Sequence, residues 1–156
     1  VLQNSLELEG HNIKIINGSV SGSTSAGGLN IADWTLSENN IDLMILCLGA
    51  NDMLRGINPK ETKNNLEEII KIAKSKNIKI IIAGMIAPTS YGFEYKKSFD
   101  KIFSDLSKKH KLQLIPFLLE GVAQKPEFNL SDGMHPNDQG TIIIGNTLKK
   151  AILENL

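Results

Sequence analysis

Residues 42–52 of the chain read DLMILCLGAND and give the first indication of its architecture. The run 43–48 is entirely apolar. Near-continuous aliphatic runs of this length are typical of parallel strands that are covered on both faces. A Gly-Ala-Asn-Asp segment follows directly, and open parallel sheets bind ligands in the loops after the carboxyl ends of their strands. The stretch therefore predicts a buried strand that carries Asn51 at its end.

Apolar runs and amphipathic stretches alternate on both sides of this strand. Three further runs are strand candidates, at residues 13–16, 78–85 and 112–115. Helical patterns occur at about residues 27–37, 59–75, 93–109 and 138–156, and residues 1–9 read as the end of a helix. The clearest helix starts after Asn58, which can cap it, with Pro59 at its first position. The alternation predicts right-handed βαβ units and a doubly wound parallel sheet in one domain, residues 1–156.

The composition excludes several classes of partner. The 156 residues are enough for one hydrophobic core, and 17 basic residues balance 17 acidic ones. A neutral chain creates no overall field that attracts nucleic acid or an anionic membrane. No apolar run reaches the ~18–20 residues of a membrane span, and no signal peptide is visible. We therefore expect neither a nucleic-acid partner nor a stable membrane span, while the oligomeric state stays open.

Cysteine and histidine usage gives no sign of a metal centre. Cys47 is the only cysteine, which excludes an internal disulfide, and its apolar neighbours predict a small buried residue. His11 and His110 have polar neighbours, so we expect both to be exposed, and Trp34 is expected to pack on its helix. No set of His, Cys, Asp and Glu has the spacing of metal ligands. We expect no metal and no cofactor.

Asp132 and His135 are the strongest candidate pair for chemistry. At a spacing of three residues their side chains can meet across one turn, and Gly133 between them permits a tight turn. A carboxylate on the imidazole Nδ1–H fixes the tautomer and leaves Nε2 free as a general base. The alternative is a turn capped by the aspartate, with the histidine as a plain surface residue.

Two residues are candidate donors to an oxyanion. The side-chain amide of Asn51 and the backbone N–H of Gly22 belong to the groups that stabilise negative charge in acyl transfer. Asn51 could instead be an ordinary turn residue. The loop 18–24, which contains Gly22, could instead cradle a phosphate, although no nucleotide-binding glycine motif is present.

Apolar residues at and after the third strand candidate form a possible wall for an acyl chain. The candidates for substrate binding are Ile86, Pro88 and Tyr91, together with Met85 and Phe93. The alternative is ordinary loop packing.

Three motifs in this order resemble sequence blocks of the SGNH (GDSL-type) hydrolases: residues 17–22, 49–52 and 132–136. Within that family the residues of these motifs most resemble those of bacterial thioesterase, arylesterase and lysophospholipase enzymes. The resemblance implies a flavodoxin-like, three-layer α/β/α fold and a Ser-His-Asp triad. It assigns the base to His135, the acid to Asp132, and the oxyanion hole to Gly22 and Asn51.

The family's Gly-Asp-Ser block, which supplies the nucleophile, is absent from the chain. The resemblance implies that this block and the first strand lie upstream of Val1, so that the chain is an N-terminally truncated domain. The first strand would be internal to the sheet, and without it two strand edges would lose their partners. Because each unpaired buried group costs ~1–3 kcal/mol, we expect the chain from Val1 to fold poorly.

The expected function is therefore that of a serine hydrolase acting on a small-molecule carboxylic ester or thioester. Three alternatives stay open: an acyltransferase that uses the same site, a non-catalytic binding module without the serine, and a flavodoxin-like binder of nucleotide or phosphate. The resemblance is compatible with a periplasmic or secreted location as well as a cytoplasmic one.

Overall fold

A computed structural model describes residues 1–37 and 40–156 of the protein. Its sheet has three parallel strands in the order β1 (Leu43–Leu46), β2 (Lys79–Ala83) and β3 (Gln113–Ile115). Ile45 lies opposite Ile81, and Ile82 lies opposite Leu114. The predicted α/β class with a parallel sheet is confirmed.

Six α-helices are found in the described residues: α1 (Leu2–Leu8), α2 (Ser25–Thr35), α3 (Ala50–Leu54), α4 (Pro59–Ser75), α5 (Phe93–His110) and α6 (Asp138–Leu153). Short 3-10 turns occur at Thr89–Tyr91 and Pro126–Phe128. The helix predicted over 59–75 has these same bounds, and the Asn58 side chain accepts from the Lys60 N–H at 2.9 Å, as a cap should. Only α3, a single short turn after β1, was not predicted.

The chain divides into two compact units, of which the larger contains residues 18–117. There α4 packs against α2 and α5, and both α4 and α5 contact β2. The core of this unit consists of fully buried side chains from the sheet and from these helices: Leu66, Ile70, Ile81, Ile82, Phe99 and Leu106. Burial of such side chains at about 1.5–3 kcal/mol each is the main force that holds β2 under its helices.

The outer edge of β1 has no strand partner among residues 1–37 and 40–156, because β1 pairs with β2 alone. Cys47, which follows β1, is exposed. The prediction that Cys47 is a buried hydrophobic residue is therefore wrong. That prediction assumed that β1 is covered by neighbouring elements, whereas its outer edge has no strand partner among the described residues.

The smaller unit contains residues 1–17 and 118–156, and α1 packs against α6 within it. Leu6 and Val122 are fully buried there. The Lys149 ammonium on α6 donates to the hydroxyl of Ser5 at 3.0 Å and to Glu9 at 2.7 Å, which ties the two helices together.

Residues 13–16, predicted as a strand, are not a strand, so that prediction is wrong. The side chain of Gln3 takes the place of a neighbouring strand: its amide donates to Ile13 O at 2.6 Å, and its oxygen accepts from Ile15 N at 2.7 Å. Ile15 and Ile16 are 38% and 51% exposed. An aliphatic run forms a strand only where a second strand supplies its ladder.

Two expectations about single side chains are also wrong. Trp34 is 76% exposed and does not pack on its helix. His110 is largely buried and contacts the Glu67 carboxylate at 2.7 Å through Nε2. Both outcomes depend on tertiary neighbours that local sequence does not reveal.

Candidate active site

Asp132 and His135 meet in the smaller unit. His135 Nδ1 and Asp132 Oδ2 are 2.6 Å apart, while Oδ1 accepts from the backbone N–H groups of Met134 at 2.9 Å and His135 at 3.0 Å. Gly133 between them has φ +69°, a left-handed conformation that glycine adopts without strain. The side chains meet across one turn, as the spacing predicts.

This arrangement sets the charge of the pair. The backbone N–H of His135, its imidazole and the N–H of Met134 hold the pKa of the Asp132 carboxyl well below its usual range. An ionised carboxylate at Nδ1 keeps the proton on that nitrogen and leaves Nε2 as the basic atom. The structure records no partner for Nε2 among the described residues, and the His135 side chain is 71% exposed. Chemically the pair can accept and return a proton at Nε2.

The loop that carries the pair is fastened at both ends. Before it, the Asn129 amide is buried and donates to Val122 O at 2.7 Å and Lys125 O at 2.8 Å. After it, the side chain of Asn137 caps α6 by accepting from Gly140 N at 3.0 Å. Between these points Leu130 N donates to His135 O at 2.7 Å. The backbone around the histidine is thus fixed by hydrogen bonds in its own unit.

Gly22 and Asn51 both lie in the larger unit. One amide hydrogen of Asn51 is donated to Ser23 O at 3.1 Å, so its second amide hydrogen stays available to a ligand. Gly22 has φ +73°, and the structure gives its N–H no acceptor in the described part of the chain. The carbonyl of Gly22 accepts from Arg55 Nη2 at 3.0 Å.

Asp52 and Arg55 are two polar residues at this place whose contacts the sequence reasoning missed. Asp52 is fully buried and accepts from Ser25 and Thr62. The one sequence feature that could have indicated the burial of Asp52 is its position directly before the apolar pair Met53-Leu54. For Arg55 no local signal exists, because its partner lies 33 residues away.

The candidate substrate wall follows β2. Ile86 is 44% exposed, Pro88 is exposed, and the ring of Tyr91 stacks on Tyr95 with centroids 5.4 Å apart. Between the first two, the backbone of Ala87 is held on both sides. Its N–H donates to Asp100 Oδ1 at 2.8 Å, and its carbonyl accepts from Lys96 Nζ at 2.8 Å. Lys96 and Asp100 form an ion pair of 2.7 Å, and we call these two side chains the Ala87 clamp.

Within residues 1–37 and 40–156, no group of three or more His, Cys, Asp and Glu side chains is arranged to hold a metal ion. In the same residues, no helix has both the length and the apolar character needed to cross a membrane.

Sequence comparison connects these features to known proteins. Residues 1–141 match the profile of the GDSL-like lipase/acylhydrolase family. An arylesterase of Vibrio mimicus is 33% identical over 156 residues, which are 100% of this chain and 78% of that protein. The thioesterase 1/protease 1/lysophospholipase L1 of Escherichia coli K12 is 32% identical over 138 residues, 88% of this chain and 66% of that protein.

Solved structures give the same result. The psychrotrophic esterase EstA from Pseudoalteromonas sp., in a structure inhibited by monoethylphosphonate, is 30% identical to the chain. The two agree with a TM-score of 0.93 over 98% of this chain and 84% of the other. The family match over residues 1–141 and the long alignment at 33% identity confirm the resemblance read from the three motifs: this chain belongs to the GDSL-like lipase/acylhydrolase family.

Proposed function

We propose that the protein hydrolyses small carboxylic esters or thioesters through a Ser-His-Asp triad. The observation that carries the proposal is the contact of 2.6 Å between His135 Nδ1 and Asp132 Oδ2, with Nε2 unpaired among the described residues. Family membership and relatives named arylesterase and thioesterase support the same reaction class.

In the first half of the reaction a serine hydroxyl attacks the substrate carbonyl while His135 Nε2 takes the hydroxyl proton. Asp132 stabilises the imidazolium that forms and keeps the ring oriented. The same proton then passes to the departing alcohol or thiol, which leaves an acyl-serine. In the second half water attacks this ester while Nε2 takes one of its protons and returns it to the serine oxygen, which regenerates the hydroxyl and releases the carboxylic acid.

The negative charge on the attacked oxygen needs donors that are in place before the reaction. We assign this role to the Gly22 N–H and to the second amide hydrogen of Asn51. Fixed donors in a site of low polarity are worth about 2.7–4 kcal/mol each in the transition state. Ile86, Pro88 and Tyr91 are assigned to the wall for the acyl group, on the strength of their apolar character and position after β2.

The nucleophile is assigned to a Gly-Asp-Ser block upstream of Val1, because that motif occurs nowhere in residues 1–156. Two of the serines near the proposed oxyanion donors are engaged in other contacts. Ser25 is fully buried and bonded to Asp52, and Ser23 Oγ donates to the neighbouring Thr24 carbonyl.

The test uses the full-length gene product and a short p-nitrophenyl ester. We expect hydrolysis by the parent and a loss of about 10³-fold or more in kcat for His135→Ala, because no other group takes the serine proton. His11→Ala is the matched control, since it removes a histidine that has no assigned role, and it should keep the parental rate.

A phosphonate ester supplies a second readout. The serine oxygen should displace the alcohol or phenol of the phosphonate ester, which inactivates the full-length protein and leaves the mass of the remaining phosphonyl group, less one hydrogen, on a single serine that peptide mapping locates. Parental activity in His135→Ala, or a parent without esterase and thioesterase activity, would contradict the proposed function.

A further inference from the structure

Asp52 is a buried carboxylate that no part of the proposed reaction uses. It is 0% exposed, and no Lys, Arg or His of the described residues forms an ion pair with it. Its charge is compensated by hydrogen bonds: Oδ2 accepts from Ser25 N at 2.7 Å, and Oδ1 accepts from the hydroxyls of Ser25 and of Thr62, the latter at 3.1 Å. A buried charge is kept in a fold only with such partners, so removing one of them is costly.

The hydrogen bonds around Asp52 have a defined direction. Asn65 Nδ2 donates to Ser25 Oγ at 3.0 Å, so the Ser25 hydroxyl directs its own hydrogen at Asp52. Ser25 is the first residue of α2, and the carboxylate therefore lies at the N-terminus of that helix. Free N–H groups and the helix dipole both favour a negative charge there.

This network holds one short segment, residues 22–25, against α3 and the residue after it. Arg55 binds the Gly22 carbonyl, Asn51 binds the Ser23 carbonyl, and Asp52 binds Ser25. The Arg55 contact is exposed and the Asn51 contact is half-buried, so water competes with both. The Asp52 contacts are fully buried, which makes them the strongest of the three constraints.

We propose that Asp52 is a positioning residue for the reaction, which fixes residues 22–25 relative to Asn51. Both assigned oxyanion donors belong to this connected set, so the carboxylate acts on the Gly22 N–H and the Asn51 amide together. Donors that are held in place need no reorganisation when charge develops, whereas a displacement of about 1 Å can cost ~10²-fold in rate. The inference rests on the proposed function.

The first test is Asp52→Asn in the full-length gene product, with p-nitrophenyl butyrate as substrate. The amide keeps the shape of the carboxylate but replaces one acceptor by a donor. We expect kcat to fall about 10–100-fold while KM stays within about twofold, because the donors act on the transition state rather than on the bound ester. Circular dichroism and thermal unfolding give the folded fraction used to correct each rate.

Ser25→Ala and Thr62→Val form a matched pair of variants. If Asp52→Asn does not fold, this pair tests whether Asp52 positions residues 22–25. Each variant removes one hydroxyl that donates to Asp52 Oδ1, but only Ser25 belongs to the segment 22–25. At comparable loss of stability, kcat should be at least about fivefold lower in Ser25→Ala than in Thr62→Val. Equal rates in the two variants would mean that the network is structural only.

A double-mutant cycle then tests whether Asp52 acts through Asn51. Asn51→Ala alone should lower kcat by about 10²–10³, and it should cost clearly less in the Asp52→Asn background. If the two substitutions lower kcat independently, so that their fold-losses multiply in the double variant, this inference is overturned. A parental kcat in folded Asp52→Asn would also overturn it. Either result leaves the proposed function standing, provided that His135→Ala and Asn51→Ala are impaired. Parental activity in His135→Ala would overturn the proposed function and this inference with it.

Discussion

At the scale of single residues, the proposed chemistry depends on which group of the Asp132–His135 pair changes its charge. The two N–H groups and the imidazole that surround Asp132 favour its ionised form, which is why its pKa lies well below the usual range. The carboxylate therefore stays charged through the mildly acidic range.

The lowered pKa of Asp132 limits the steepness of the acid limb of the pH profile. Between about pH 6 and pH 4 the logarithm of kcat/KM should not fall more steeply than one proton, because the Asp132 carboxylate stays ionised throughout this range. The measurement is a set of initial ester-hydrolysis rates, with protein stability checked at each pH. A slope of two would show that the carboxylate titrates in the same range, contrary to its hydrogen bonding.

Some residue-scale features could be predicted from sequence and others could not. The contact of Asp132 with His135 follows from a spacing of three and an intervening glycine, which is local information. The burial of Asp52 depends on Ser25, 27 residues earlier, and the pairing of His110 depends on Glu67, 43 residues earlier. Such contacts arise only when the chain folds, so no window of sequence contains them.

At the scale of elements, polar contacts join α4 to α5 beside their apolar core. Glu67 on α4 contacts Lys109 Nζ and His110 Nε2 of α5, each at 2.7 Å, and Lys63 pairs with Asp105 at the same distance. Hydrogen bonds from Lys109 and His110 lower the pKa of Glu67 from its ordinary 4.5 to about 2.

The lowered pKa predicts a pH-dependent contribution of Glu67 to stability. A carboxyl whose pKa is lower in the folded state stabilises the fold above its unfolded pKa of ~4.3, and the effect disappears as pH falls through the folded value. Glu67→Gln should therefore be less stable than the parent at neutral pH, and the difference should shrink as the pH falls towards 2. Urea unfolding at several pH values measures the difference.

Glu68→Gln is the control, because Glu68 pairs with Lys71 of its own helix in an exposed position. It should change stability less than Glu67→Gln at neutral pH. A constant difference between the parent and Glu67→Gln from pH 7 to pH 2 would contradict the role assigned to the charge.

Helices were easier to predict than strands in this chain. The bounds of α4 follow from Asn58, Pro59 and an apolar stripe with the helical period. The five residues of α3 are too few to show any period, so α3 was not predicted. Residues 13–16 have the composition of a strand, but the pairing that makes a strand comes from another segment.

At the scale of the whole molecule, the prediction of a single domain over residues 1–156 stays a prediction. Residues 18–117 contain the proposed oxyanion donors, whereas residues 1–17 and 118–156 contain the proposed acid and base. Within residues 1–37 and 40–156 the outer edge of β1 has no strand partner. Its unpaired N–H and C=O groups can accept a strand from another molecule.

We therefore predict that the folded fraction of residues 1–156, expressed alone, self-associates in a concentration-dependent way under reducing conditions, in addition to the poor folding expected from the same unpaired edge. Cys47→Lys places a charge beside the open edge and should shift the chain towards monomer, as lysines on natural edge strands do. Light scattering over a range of concentrations gives the mass directly. A monomer at every concentration, with or without the lysine, would contradict association through β1.

The Ala87 clamp has a consequence for variation within the proposed acyl wall. Lys96 and Asp100 hold the backbone of a buried residue, while Ile86 and Pro88 on either side of it are exposed. Two hydrogen bonds from side chains of α5 thus hold the main chain at Ala87, while the ring of Pro88 fixes its own φ of −62°. Position 86 of the proposed acyl wall can therefore be varied, by evolution or in a laboratory library, while the main chain at Ala87 keeps its path.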